Sequence, residues 1–274
     1  MESLANTEPV MQQLLTYRFE SGTLRGQCFG NLLLAALNGV TGSFDEAVRS
    51  MGQVLAISGT VIPVTTTDVR LTATFENGAY VVGESNIFGF KKQQDCRIDH
   101  VELLPAHPKA LPDALDAIAA ADLILLGPGS LYTSIIPNLL VPGVTQAIRE
   151  SGAFTLFICS IADIQGETRG MRARDYVKAL IDHGMDGLLD YVLLHSSSPL
   201  GPESETDERL AVMGGAHSAK PVAVSFEDVR WIESVGAGVQ VRNFYNPKTP
   251  LWHNPRALRQ ALTEIFEKCL SPQM

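Results

Sequence analysis

The stretch Asp122-Leu-Ile-Leu-Leu-Gly127-Pro-Gly-Ser130-Leu-Tyr-Thr-Ser-Ile-Ile-Pro-Asn138-Leu-Leu-Val-Pro-Gly143 decides the fold. Its four apolar residues, Leu123 to Leu126, read as a strand buried on both faces, as parallel sheets require. Gly127-Pro128-Gly129 stops that strand, and Ser130, Thr133 and Ser134 open the next helix. A tight glycine turn at the carboxyl end of a parallel strand aims main-chain N–H groups at one point. The following helix adds its positive end, so the turn favours an anion such as a phosphate. Gly-Pro-Gly alone fits an ordinary strand-to-helix turn. Three hydroxyls and Tyr132 in the same turn shift the reading toward a binding site.

Outward from that stretch the rhythm is regular. Helix 112–120, strand 122–126, helix 133–150, strand 154–159, helix 171–183 and strand 189–194 follow one another. Further strands are predicted near 221–225 and 239–243, before a last helix from about Pro255 to Cys269. Such alternation predicts an α/β fold: a doubly wound, mostly parallel sheet with right-handed crossovers. Residues 58 to 104 differ in texture, with β-like runs at 61–64, 69–75, 79–82 and 97–103 and a hairpin signal at Asn77-Gly78. They predict a small antiparallel β-rich subdomain within one domain spanning 1–274. Ahead of it, Thr7-Glu8-Pro9 opens a helix running to about Phe19, and Ser43-Phe44-Asp45-Glu46 caps a third over 44–56. Between them the helix carrying Leu32 to Leu37 is apolar almost all round, which predicts burial. Residues 196 to 220, rich in Ser, Gly, Pro and Glu, predict the most mobile stretch.

Composition narrows the function. The chain has 274 residues, 45% hydrophobic and 19% charged, enough for a substantial core. Its formal charge of −9 repels polyphosphate chains, and Lys91-Lys92 is the longest basic run, so no nucleic-acid partner is expected. Four cysteines (Cys28, Cys96, Cys159, Cys269) lack metal or disulfide spacing and predict reduced thiols; Cys159 reads as a small core hydrophobe. No apolar stretch reaches membrane-spanning length and the amino terminus lacks a signal-peptide pattern, which predicts a cytoplasmic protein with no membrane partner.

Ligands of open parallel sheets bind at the carboxyl ends of strands. Three loops qualify: the glycine elbow, Ser160 to Thr168, and His195-Ser196-Ser197-Ser198. Within the second, Gly166-Glu167-Thr168 fits a plain turn before a helix, with Glu167 favoured by the helix dipole. The same carboxylate could sit beside the anion site, to take a proton or to bind a metal held by phosphate, and Asp163 shares that ambiguity. Gly26-Gln27-Cys28-Phe29-Gly30-Asn31 feeds the apolar helix; Asn31 fits a helix cap, or Gln27 and Asn31 contact a ligand. His195 reads as a hydrogen-bonded strand-end residue, and Trp252-His253-Asn254-Pro255 as a staple and cap for the last helix. His100 and His107 lack metal spacing, and no catalytic dyad or nucleophile elbow emerges.

Several segments occur together in one order: Tyr17-Arg18-Phe19, Gly30-Asn31-Leu32 to Leu37, Gly83-Glu84-Ser85-Asn86-Ile87, Gly127 to Leu140 and Gly166-Glu167-Thr168. This series resembles the YvcK-like branch of the CofD family. Members of that branch are described as gluconeogenesis factors, or as morphogenesis factors that bind nucleotide sugars. The other branch, 2-phospho-L-lactate transferase, builds a deazaflavin cofactor and usually carries a Gly-Pro-Ser-Asn type of turn. Family members open with Gly-Gly-Gly-Thr-Gly, Asp-Asp-Gly-Gly-Ser and Pro-Pro-Gly-Asp segments that this sequence lacks. The chain therefore aligns as the family fold without its first βα units. Gln27 stands where the family tends to have His, and Trp252-His253-Asn254 where it has Arg-His-Asp.

The resemblance implies a regulator that binds a nucleotide sugar such as UDP-N-acetylglucosamine and acts on carbon metabolism, cell-wall growth and cell shape. Gly127, Gly129, Ser130, Tyr132, Thr133, Ser134 and Asn138 would hold the diphosphate, and Gln27, Gly30, Asn31, Gly166 and Glu167 would contact the rest. No cofactor or metal is expected on this reading. The alternatives are a transferase of the 2-phospho-L-lactate type, with Mg²⁺ on the diphosphate, or a fragment of either that binds nothing. Lost strands would expose apolar surface, so a homo-oligomer is among the expected states.

Overall fold

The computed structural model describes residues 9–94, 96–163, 167–201 and 220–269. Thr7, Gly166 and most of the 196–220 stretch (202–219) lie outside the described residues. The chain divides into two compact units, one of residues 1–67 and 109–116, the other of 68–108 and 117–274.

The first unit is built on three helices: α1 (Pro9–Thr16), α2 (Phe29–Thr41) and α3 (Phe44–Val54). Leu15, Met51 and Leu55 form its core, with Leu33, Leu34 and Leu37 of α2 packed partly against them. The start of α3 follows the sequence, with Ser43 accepting from the Glu46 amide at 3.4 Å. Three expectations need correction. No residue of α2 is buried, although its apolar run predicts a buried helix. The helix also starts two residues early, with Cys28 at the cap position making no side-chain cap bond, so Asn31 lies inside it and does not cap it. Val61 to Val64 form no strand; the Val64 carbonyl accepts from Leu111 N at 2.8 Å and Thr65 bridges Ala110.

The second unit holds both sheets. Its antiparallel sheet has the order β2-β1-β3, from β1 (Arg70–Phe75), β2 (Tyr80–Val82) and β3 (Ile98–Leu104). Asn77-Gly78 makes the predicted turn, Gly78 having φ +80° and the Asn77 carboxamide accepting from Ala79 N at 3.1 Å. After β2 the chain forms α4 (Glu84–Gln94), a helix the sequence reading does not contain. The next helix, α5 (Pro112–Ala119), falls where it is predicted, and residues 109–116 of the chain belong to the first unit.

The parallel sheet has the order β4-β5-β6-β7, from β4 (Leu123–Leu126), β5 (Phe154–Ile158), β6 (Tyr191–His195) and β7 (Gly238–Arg242). Its register aligns Leu125 with Leu156, Leu156 with Tyr191 and Ile158 with Leu193. Because side chains alternate along a strand, Leu156, Ile158 and Leu193 share one face. The last helix, here α10 (Pro255–Cys269), covers it with Leu258, Ala261, Leu262 and Ile265. Residues of opposite parity, among them Phe157, Val192 and Leu194, are equally buried and face the other way. Right-handed crossovers between neighbouring strands place α7 (Val144–Ser151), α8 (Ala173–Leu180) and α9 (Phe226–Ser234) together on that second face. Helices thus cover both faces of a parallel sheet, as the sequence predicts.

The helix expected over 133–150 is broken in three: a π-helical turn (Leu131–Ile135), α6 (Ile136–Leu139) and α7. Pro142-Gly143 ends the first part, Gly143 adopting φ +96° that an L side chain resists. Near 221–225 only isolated bridges form, Ala162 to Pro221 and Arg172 to Ala223, and α9 begins at once. Ser225 and Asp228 cap it reciprocally, at 3.3 Å and 2.8 Å. Among the described residues, no helix is long and apolar enough to cross a membrane.

Candidate functional site

The carboxyl end of β4 makes the predicted elbow. Gly127 has φ +87°, and a Cβ there would stand 3.0 Å from the Ile158 carbonyl oxygen, so only glycine fits. Gly129 is different: an added Cβ would meet Ser134 and Ile135 at 3.6 and 3.7 Å, ordinary contact. Packing therefore does not demand a glycine at 129. From Ser130 the chain winds as a π-helical turn, Ile135 N and Ser134 N both donating to the Ser130 carbonyl at 2.9 and 3.0 Å.

The elbow is an anion site, and the anion it holds belongs to the chain. Oε1 of Glu167 accepts from Tyr132 N at 2.7 Å and from Thr133 N at 3.0 Å. These are two of the first donors of the helix, which lack intrahelical partners. The expectation of free elbow amides awaiting a phosphate is corrected accordingly: a carboxylate from the neighbouring loop already takes them. Physically the substitution is natural, since a buried acid needs donors and a helix start needs an acceptor.

Glu167 is only 5% exposed. Burial pushes its carboxyl above the ordinary carboxylate range; hydrogen bonds from Tyr132, Thr133 and the Ser130 side chain work against that shift, and nearby Glu84 adds to it. Described residues on either side of Glu167 are anchored. The Tyr176 hydroxyl of α8 donates to Thr168 Oγ1 at 2.8 Å, and Asp163 accepts from Gly170 N at 2.9 Å and Lys220 N at 2.6 Å. Asp163 is thus committed to structure. Below the loop, Arg172 grips the buried Asp228 at 2.8 and 3.2 Å and Ser225 at 2.9 Å, locking α8 to α9. Burial would raise the Asp228 carboxyl, but its bonds from Arg172 and Ser225 outweigh that and hold it low.

Glu167 lines two cavities. One, of about 360 Å³, is lined by Ser130, Thr133 and Glu167 together with Glu84, Ser85 and Phe88 of α4. The other, of about 320 Å³, lies toward Arg97, Arg169 and Lys178, with acids including Asp175 and Asp182 beside them. Some of these charges are paired, Arg97 with Asp175 at 3.7 Å and Lys178 with Asp182 at 2.5 Å.

The predicted site residues divide clearly. Ser130, Thr133 and Glu167 come together around one cavity. Tyr132 gives its amide to Glu167, but its buried ring turns to the other cavity and meets His183 edge-on at 6.1 Å. Burial first, then the nearby Glu167 charge, pushes its phenol well up. Ser134 is exposed, and its carbonyl accepts from Asn138 Nδ2 at 2.6 Å, which commits Asn138 to the helix. Gln27, Gly30 and Asn31 belong to the first unit: Gln27 and Asn31 are exposed, and Gly30 is required by packing, a Cβ there falling 2.7 Å from the Leu15 carbonyl. Gly166 lies outside the described residues.

His195 and His253 have structural partners, His195 Nδ1 accepting from Phe244 N at 2.9 Å and His253 Nε2 meeting the Cys159 carbonyl at 3.0 Å. Asn254 caps α10 through Arg256 N and Ala257 N at 3.0 and 3.3 Å. Cys159 is buried, and Cys28, Cys96 and Cys159 are free thiols. The residues missed from sequence are Glu84 and Ser85, whose segment Gly83 to Ile87 carried the family resemblance without being assigned to the site.

The family profile described as "2-phospho-L-lactate transferase CofD" matches residues 1–241. The chain belongs to the CofD family. It is 37% identical over 264 residues to a protein of Halalkalibacterium halodurans named "Gluconeogenesis factor", covering 96% of this chain and 78% of that one. A Bacillus subtilis protein of the same name shares 37% identity over 231 residues, 84% of this chain and 69% of its own length. Against a relative from Thermoanaerobacterium thermosulfurigenes, 50% identical over 194 residues, the chain spans only 60% of the relative's length. A crystal structure of a Bacillus halodurans protein superposes with a TM-score of 0.84 at 35% identity, over 96% of this chain and 80% of that chain.

Proposed function

We propose that this CofD-family chain is a binding protein of the gluconeogenesis-factor kind, which recognises a nucleotide sugar of the UDP-sugar type. On this reading it acts in the cytoplasm, in control of carbon metabolism, cell-wall growth and cell shape. One observation carries it: the elbow after β4 holds a carboxylate on two main-chain amides beside a cavity lined by Ser130 and Thr133. Amides that donate to a carboxylate oxygen also suit a phosphate oxygen. Serine and threonine hydroxyls, with Glu84 and Glu167 as acceptors, suit the diphosphate and hydroxyls of a sugar nucleotide together. Calorimetric titration with UDP-N-acetylglucosamine tests the reading. Binding that Ser130→Ala plus Thr133→Ala weakens about tenfold supports it, and no heat from the unaltered chain contradicts it.

The family profile favours a second reading, transfer of a phospholactyl-type group from a nucleotide diphosphate to a flavin-like alcohol. Glu84 and Glu167 offer hard oxygen donors suited to a Mg²⁺ ion shared with substrate phosphates. A deazaflavin acceptor assay separates the two readings, product formation favouring the transferase.

A further inference from the structure

We infer that Glu167 is the specificity-determining residue of the elbow: its carboxylate occupies the anion position, and only a ligand with concentrated phosphate charge displaces it. The inference deepens the nucleotide-sugar reading and rests on it for the identity of the natural ligand. Three observations support it. The two amides a phosphate would need are both on Glu167 Oε1, at 2.7 and 3.0 Å. Glu167 lines two cavities, one bearing the Ser130 and Thr133 hydroxyls, the other bearing Arg97 and Arg169. Thr168, next to Glu167, is held by the Tyr176 hydroxyl at 2.8 Å, so the exchange is one of the Glu167 side chain against an anchored neighbour.

A ligand entering beside Ser130 and Thr133 leaves the carboxylate the second cavity, which Glu167 also lines, as a place to turn. Competition also sets a threshold. A tethered carboxylate acts at an effective concentration in the millimolar range or above, so a free monocarboxylate gains little by replacing it. A phosphate carries up to about two charges and three acceptor oxygens on one centre, and a diphosphate carries more. The elbow would therefore reject organic acids and neutral sugars and accept phosphorylated ligands, with Glu167 drawing the line.

The test compares Glu167→Gln, nearly the same in shape but uncharged, with the unaltered chain, by calorimetric titration of inorganic pyrophosphate and of malonate. Glu167→Gln is expected to bind pyrophosphate about tenfold tighter, and to lose most of the preference for pyrophosphate over malonate. In the unaltered chain, saturation with pyrophosphate should move the amide resonances of Tyr132 and Thr133. Equal or weaker pyrophosphate binding by Glu167→Gln overturns the inference, as do unmoved amide resonances at saturation. Gain of pyrophosphate affinity without any UDP-N-acetylglucosamine binding upholds the role of Glu167 and removes the nucleotide-sugar reading. UDP-N-acetylglucosamine binding that Glu167→Gln leaves unchanged does the reverse.

Discussion

Two helices of this chain begin behind glycines, and they differ in what meets their first amides. At the elbow, Gly127-Pro128-Gly129 leads into a π-helical turn whose amides at 132 and 133 close on a buried carboxylate. At α2, Gly26 to Gly30 leads into a helix with no side-chain cap and no buried residue. Both starts look like ligand contacts in sequence. The first lines a cavity with hydroxyls and acids. A glycine at or near a helix start therefore has two causes here: positive φ and a close carbonyl at Gly127, and the pressing of α1 on α2 at Gly30. The partner of the amides, not the glycine, marks the site.

The largest expected effect lies beneath the elbow. Asp228→Ala leaves Arg172 without its buried partner and loosens α8, at a cost of about 3 kcal/mol. Thermal melting should show a fall of roughly 6 °C or more, and a fall under half that would mean the anchor matters little. Next come the glycines themselves. Gly127→Ala meets both a positive φ and the Ile158 carbonyl, and should cost about 2 kcal/mol. Gly30→Ala should cost about the same, because the obstacle at 2.7 Å is backbone and must shift as a whole. A neutral Gly30→Ala would return Gly30 to the list of ligand contacts.

Charge effects are smaller and carry a sign. Burial raises the Glu167 carboxyl above its unfolded value of 4.5, so the folded chain takes up the proton more readily than the unfolded one. That contribution is fully present below pH 4.5 and is lost as pH rises through the raised value. Glu167→Gln should therefore melt about 2 °C higher than the unaltered chain at neutral pH, with the difference vanishing near pH 4. A variant that melts lower at neutral pH would show that the ionised carboxylate stabilises the fold. His183 titrates in the opposite sense. Burial holds its imidazole low, and Nε2 accepts from Val101 N at 3.1 Å while Nδ1 donates to the Ala179 carbonyl. The neutral ring stabilises the fold above its unfolded value of 6.5, and that stability is lost as pH falls through the folded one. His183→Asn should flatten this acid limb of a melting-versus-pH curve. Smallest of all, Asn31→Ala should change stability by less than about 0.5 kcal/mol, since the exposed side chain caps nothing.

Much of the sheet was legible because its strands are unbroken apolar runs, although the first, Leu123–Leu126, lies at the edge of the described sheet, half-buried with Leu125 exposed, and is not buried on both faces as predicted. Leu123–Leu126, Phe154–Ile158 and Tyr191–His195 fall within a residue or two of the predicted spans. The last helix matches its predicted bounds, where Asn254 and Pro255 announce the start. What failed did so for local reasons. The capping signal Ser225-Phe-Glu-Asp228 marks α9, but the apolar Val222 to Val224 run beside it reads as a strand. Apolarity of Leu32 to Leu37 predicts burial only where neighbours exist to bury it, and α2 meets neighbours on one side. At the site, the elbow and Glu167 were each visible, since both break the surrounding pattern. Their pairing across 35 residues was not, because a hydrogen bond between loops leaves no periodic trace.

The central claim is that Glu167 supplies the anion of the elbow, and amide chemical shifts of Tyr132 and Thr133 followed against pH test it most directly. Both should move together with one midpoint above 4.5, and both should stop moving in Glu167→Gln. Two flat curves in the unaltered chain, across the whole acid range, would contradict it.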